Sequence, residues 1–220
     1  MQNLYTVERS LIQRTCEQYD LYGDGKQFLT TSDQKSQLKK CALIDLTHLS
    51  RVGFRGADAH EYLQKRGYST PSLPNTFLEQ IDGSVVGRLS VAEYIILGSI
   101  KDFGARVSEL ESSWQLDETK LNYMLPRQDS HAWLMLTGES VAMVMAKLCG
   151  VDLMEEAFKP GHIVQTSVAR VNAIVFNGSD TACPKFTILC DRSASLYLWE
   201  VLIDAMQEFE GQIIGINHLF

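Results

Sequence analysis

A segment of this chain recurs 82 positions further on, and that recurrence limits the folds open to it more than any single motif does. Residues 51–56 alternate apolar and polar side chains and run into a stretch whose apolar positions are Ala59, Tyr62, Leu63 and the stem of Arg66. Residues 131–138, shifted by 82 positions, likewise run into Val141, Val144, Met145 and Leu148. Both sets follow the i, i+3, i+4, i+7 spacing of one helical face, so each copy predicts a strand followed by an amphipathic helix. Asp58 with Glu61 predicts a capping box at the first helix, and Gly67 and Gly150 are placed to end the two helices in left-handed residues.

Each copy continues in the same way. Ile81 to Ser84 predicts a turn before a strand over Val91–Leu97, and Asn177 with Gly178 predicts one before Phe186–Cys190. A second helix follows in each, with Ile100, Phe103, Val107, Leu110 and Trp114 behind a Ser99 cap, and Leu196, Trp199, Ile203 and Met206 behind a Ser193 cap. The expected fold class is therefore α+β: duplicated strand-helix-hairpin-helix halves in a pseudo-symmetric body, with mixed or antiparallel sheets covered by helices on one face. The halves are expected at 41–120 and 121–220, behind an N-terminal arm over 1–40, with the binding place in the groove between them.

The arm carries an amphipathic piece over Leu11–Tyr19 and a polar loop with Gly23, Asp24, Gly25 and Asp33. It either packs on a partner or forms a surface extension. The last ten residues, with Ile213, Ile214, Ile216, Leu219 and Phe220, are apolar enough to need cover, by a strand added to their own sheet or by docking on a partner.

A hydrophobic share of 45% supplies a core, while a formal charge of −7 with no dense basic patch excludes nucleic acid as the expected partner. The five cysteines are odd in number and contain no CxxC, which predicts reduced and mostly buried thiols. Residues 1–14 lack the apolar core of a secretion signal, and no stretch approaches the ~18 apolar residues of a spanning helix, so no membrane and a cytoplasmic location are expected.

Catalytic signatures are missing: no GxGxxG, no phosphate loop, no GxSxG elbow and no HExxH. The five histidines show no ligand spacing, so no metal site is expected. Glu155 with Glu156, and Glu208 with Glu210, read as a solvated face and not as an acid-base pair. The segment over 158–170 is the least ordinary: a Pro160-Gly161 turn enters a strand, placing His162, Gln165, Thr166 and Arg170 where they could contact a small polar ligand or a partner loop. The plainer alternative is that the turn orders a sheet edge.

The run from Cys41 to Thr47 leading to Gly53–Gly56, then Glu93–Gly98, Asp129–Trp133 with Gly138, Phe158–Gly161 with Gln165 and Thr166, and Leu198–Leu202 together resemble the γ subunit of heterotetrameric sarcosine oxidase. That family is similar in fold to the N-terminal part of the glycine cleavage aminomethyltransferase and to other tetrahydrofolate-binding proteins. The resemblance implies a non-catalytic subunit, contributing assembly and the wall of an internal cavity. Its complex would oxidise sarcosine to glycine and pass the one-carbon unit to tetrahydrofolate. It implies large flavoprotein α and β subunits as partners, with FAD, FMN, NAD and folate held by those subunits and none by this chain alone. The alternative is a stand-alone tetrahydrofolate-binding protein of the aminomethyltransferase type. Such proteins carry a KGC[FY]xGQE signature, of which Lys159–Thr166 is a degenerate form with Gly161 at the cysteine position and Thr166 at the final acid.

Overall fold

A computed structural model describes residues 12, 18–32, 35–181 and 183–220. Most of the amphipathic piece over Leu11–Tyr19, with Cys16 and Asp33, lies outside the described residues. The elements in order are β1 (Tyr19–Tyr22), β2 (Lys26–Leu29), α1 (Gln37–Lys40), β3 (Ala42–Asp45), β4 (Arg51–Arg55), α2 (Ala59–Lys65), β5 (Thr76–Glu79), β6 (Val85–Arg88), β7 (Glu93–Leu97), α3 (Ala105–Ser112), β8 (Tyr123–Pro126), β9 (His131–Thr137), α4 (Val141–Ala146), β10 (Ile163–Val168), β11 (Val171–Asn177), β12 (Lys185–Asp191), α5 (Ser195–Met206) and β13 (Gln212–Ile213).

The strands form a two-stranded hairpin, a five-stranded sheet in the order β5-β6-β7-β4-β8, and a six-stranded sheet in the order β10-β11-β12-β9-β3-β13. All pairings are antiparallel except β13 with β3. Alternation along each strand separates three apolar clusters. On β9, Ala132, Leu134 and Leu136 point at α4 and α5, while Trp133 and Met135 point the other way. On β7, Tyr94 and Ile96 point at α2 and α3, while Ile95 and Leu97 face the second sheet. The result is four layers, helices outside and two sheets facing each other across a shared apolar centre. The expected helix cover on one face of each sheet is present.

The two sheets share the pattern of a three-stranded meander, a fourth strand and a fifth strand that arrives from elsewhere in the chain. β3 precedes β4 in sequence but pairs with β9, and β8 precedes β9 but pairs with β4. The chain thus crosses between sheets twice, and a cut between residues 120 and 121 would detach β8 from its sheet. Gly56 and Gly138, matched in the repeat, allow both crossings. Their φ angles are +139° and +112°, and an added Cβ would lie 2.0 Å from the Leu121 carbonyl oxygen and 2.5 Å from that of Lys40. Only glycine lets the entering strand come so close.

Arg51 fastens the same crossing point. Its side chain is fully buried, and its guanidinium donates to the carbonyls of Thr47 (2.7 Å), Leu49 (2.9 Å) and Gln128 (2.9 Å) and to that of His131. One rigid fork thereby joins the β3–β4 and β8–β9 connections.

Several local expectations are corrected. Each hairpin is part of a meander with one more strand: the Ile81–Ser84 turn joins β5 to β6, and a further turn leads into β7. The Asn177-Gly178 turn is a longer loop ending at Lys185. Ser99 does not cap α3, which starts six residues later behind Gly104 (φ +79°); Asp102 instead accepts from the Gly104 and Arg106 amides. Ser193 is not the cap of α5 either, since Asp191 accepts from its amide in a 3₁₀ turn that precedes the helix. Asp58 makes no cap bond and accepts from the Leu121 amide, again at a crossing. Gly67 is left-handed as expected, at φ +77°, whereas α4 ends before Gly150 is reached.

The described part of the arm packs on its own body. The β1–β2 hairpin turns at Gly23–Gly25, and Lys26 Nζ donates to Ser50 Oγ (2.7 Å) and the Phe103 carbonyl (2.9 Å). The C-terminal residues also cover their own sheet. β13 adds to β3, Ile214 and Ile216 are buried, and Asn217 exchanges hydrogen bonds with the Thr31 main chain. The Phe220 ring meets Tyr22 and Phe103 at 5.8 and 5.6 Å.

Candidate functional site

The two sheets meet closely along one edge and part towards one end. Along the edge, the Phe77 amide donates to the Gly161 carbonyl (2.9 Å) and the Ile163 amide to the Asn75 carbonyl (2.8 Å), so β5 of one sheet is stitched to the start of β10 in the other. Behind the stitch, Gly87 has no Cβ; one placed there would lie 2.7 Å from the Phe176 ring. Phe176 therefore reaches across to Phe77, with ring centroids 5.5 Å apart.

Beyond these rings the sheets enclose a cavity of about 360 Å³, within the size range of small-molecule sites. Leu97, Trp133, Met135 and Phe176 are among its walls, and the turn at Gly83, the segment Gly98–Lys101 and the strand start at Lys185 frame its mouth. Trp133 is 5% exposed and its indole N–H, a donor only, is buried without an acceptor among the described residues. A buried donor left unmet costs about 1–3 kcal/mol, which a ligand acceptor would recover. Lys101 and Lys185 form no ion pair with a described residue, and Glu79 is the one acid in the lining. An apolar, partly aromatic wall, one waiting donor and two cations suit a planar ligand bearing a hydrogen-bond acceptor and a negative charge.

The four residues predicted as ligand or partner contacts are not gathered in this cavity. His162 is exposed, bonded through Nδ1 to the Lys159 carbonyl (3.1 Å), and sits in the stitch opposite Thr76. Gln165 spans to the other sheet, donating to Asn75 Oδ1 (2.8 Å) and the Leu89 carbonyl (2.7 Å). Thr166 turns the opposite way, towards Cys149 Sγ at 3.8 Å. Arg170 lies exposed at the tip of the β10–β11 hairpin, where Ala169 and Arg170 both take positive φ. The segment forms the edge strand of the six-stranded sheet. Trp133 and Phe176 lay unmarked as site residues because, in sequence, each is one more apolar residue in an apolar run.

Several other titratable groups are buried. Burial, and then the nearby Arg127 and Arg51 charges, depress the His131 imidazole to about 4. Burial raises Cys41 and pushes Cys190 up to about 12. Cys41, Cys149, Cys183 and Cys190 are free thiols. His48 and His218 are buried, bonded to the main chain of the arm at Gln27 and at Thr31 and Ser32. Among the described residues no group of side chains is arranged to hold a metal ion, and no helix is long and apolar enough to cross a membrane.

No family model matches the chain, and no curated protein matches it in sequence. Solved structures do match. A chain of the heterotetrameric sarcosine oxidase from Corynebacterium sp. U-96, in complex with pyrrole 2-carboxylate, aligns over 77% of this chain and 85% of its own at a TM-score of 0.64 and 22% identity. The glycine cleavage system aminomethyltransferase T from Bartonella henselae aligns over 94% of this chain at a TM-score of 0.66 and 14% identity, and this chain spans 58% of its length. The chain has the fold these two share.

Proposed function

We propose that this chain is a non-catalytic γ-type subunit of a sarcosine oxidase-like complex, contributing to assembly and forming the wall of an internal cavity beside large flavoprotein α and β subunits in the cytoplasm. The observation that carries this reading is the match over most of both lengths to one chain of a heterotetrameric oxidase. In this reading the duplicated halves, with their exchanged strands, form a rigid wall. FAD, FMN and NAD chemistry belongs to the other subunits. The test is purification of the N-terminally tagged chain from its own cells, followed by a flavin spectrum and a sarcosine-dependent peroxide assay. A yellow, active, multi-chain complex supports the proposal, and a colourless lone chain from cells expressing the partners refutes it.

The central cavity favours a second reading, a stand-alone tetrahydrofolate-binding protein. Trp133 and Phe176 would hold a planar ring and Lys101 and Lys185 an acidic tail, a set that fits a folate. Titration of the isolated chain with tetrahydrofolate, read by tryptophan fluorescence, separates the two. Saturable quenching lost in Trp133→Phe supports folate binding by this chain, and no quenching leaves cavity formation as its role.

A further inference from the structure

We propose that a second groove, on the helical side of the six-stranded sheet, docks a basic amphipathic segment of another protein chain. The groove encloses about 550 Å³ and is separated from the central cavity by the sheet itself. Its floor is apolar: Val141 at the start of α4, Leu153 and Phe186 are all buried. Met154 on the groove is 46% exposed, and Met143 and Val151, close in sequence to other lining residues, are 47% and 40% exposed.

The rim is of one sign. Glu139, Glu155, Glu156 and Asp180 line the groove and no lysine or arginine does. Glu139, Glu155 and Glu156 form no ion pair with a described residue, unlike Glu61 and Glu93, which are both paired. In sequence Glu155 and Glu156 suggest only a solvated face. The structure sets them around the exposed Met154 and a hydrophobic floor. The buried polar group at the floor, Asn177, is already satisfied, donating to the Phe158 carbonyl and accepting from the Ser179 amide.

A polypeptide helix with leucine or valine on one face and lysine or arginine at its flanks matches both features, burying the floor and neutralising the rim. Methionine at the contact adapts to such a face. The proposal rests on the subunit reading for the existence of a partner, while the groove's chemistry is independent of it.

The probe is a fluorescein-labelled, helix-forming peptide of leucine and lysine, titrated with the full chain by anisotropy. A peptide with glutamate in place of lysine serves as control. E139Q/E155Q/E156Q removes three rim charges, and E109Q/E118Q/E200Q removes three exposed charges elsewhere. The lysine peptide is expected to bind the wild type, to lose about ten-fold in affinity in the rim variant, and to change less than about two-fold in the matched variant. Raised salt should weaken it, and Met154→Ser should weaken it in any salt. No binding to the wild type, or equal losses in both triple variants, overturns the proposal. Recovery of a multi-chain complex equally well with the rim variant overturns the groove and leaves the subunit reading intact. Peptide binding at the groove without any recoverable complex does the reverse.

Discussion

Replacing Arg51 by methionine keeps the length of the side chain and removes the fork that joins the two crossings. Four main-chain acceptors lose a charged donor, but not equally. The Thr47 carbonyl keeps the Gln128 amide at 3.2 Å, and the Gln128 carbonyl keeps Arg192 at 3.2 Å. The Leu49 carbonyl, in a fully buried residue, loses its side-chain donor outright. Hydrogen bonds to a charged group contribute about 1.5–3 kcal/mol each and an orphaned buried carbonyl costs about 1–3 kcal/mol. Relief of the guanidinium's desolvation offsets several kcal/mol of that sum, leaving a net loss of about 3–5 kcal/mol, as for other broken buried ionic contacts. With a urea m-value of about 2–3 kcal/mol/M, the midpoint falls by about 1–2 M. Equilibrium unfolding followed by tryptophan fluorescence measures it. Arg51→Lys separates charge from geometry: an ammonium cannot span both connections, so it should lose at least half as much. A midpoint shift under about 0.3 M for the methionine variant, or a wild-type midpoint for the lysine variant, would refute the reasoning.

Gly138→Ala forces a Cβ to within 2.5 Å of Lys40 at a φ of +112° and should lower Tm by about 5–12 °C, whereas Gly150→Ala, with open space and no left-handed φ, should leave it unchanged in the same calorimetric scan. Trp199→Ala, at a fully buried site on α5, should cost about 3–5 kcal/mol in denaturant unfolding, well above the cost at half-buried Leu196. His131 is neutral in the folded chain down to about pH 4 but takes a proton near 6.5 when unfolded. Its contribution is thus complete above pH 6.5 and is lost as pH falls towards 4, by about 3 kcal/mol in all, and His131→Gln should flatten that part of the stability–pH curve.

Periodicity made the helices legible, because Ala59 with Leu63, and Val141, Val144 and Met145, each needed one side turned inward. Gly67 and the Pro160-Gly161 turn were legible for local steric reasons. The caps were misread: Ser99 and Ser193 have the right chemistry in the right neighbourhood, but Asp102 and Asp191 lie where the backbone amides open. The β10–β11 turn gave no signal at all, since Ala169 and Arg170 are poor candidates for positive φ and are held there by pairing on both sides.

By itself, the sequence determined the mixed α and β class, the inward faces of α2 and α4 and the absence of an isolated catalytic motif, all of which follow from local spacing. Tertiary structure alone decided that β3 and β8 change sheets, that the C-terminal residues close the β3 edge, and that Trp133 and Phe176 wall a cavity while Glu139, Glu155 and Glu156 ring a groove. The physical reason is that an alternating strand specifies two faces but not its neighbour. The neighbour is chosen by backbone approach at Gly56 and Gly138, by the Arg51 fork and by apolar surfaces more than eighty residues apart.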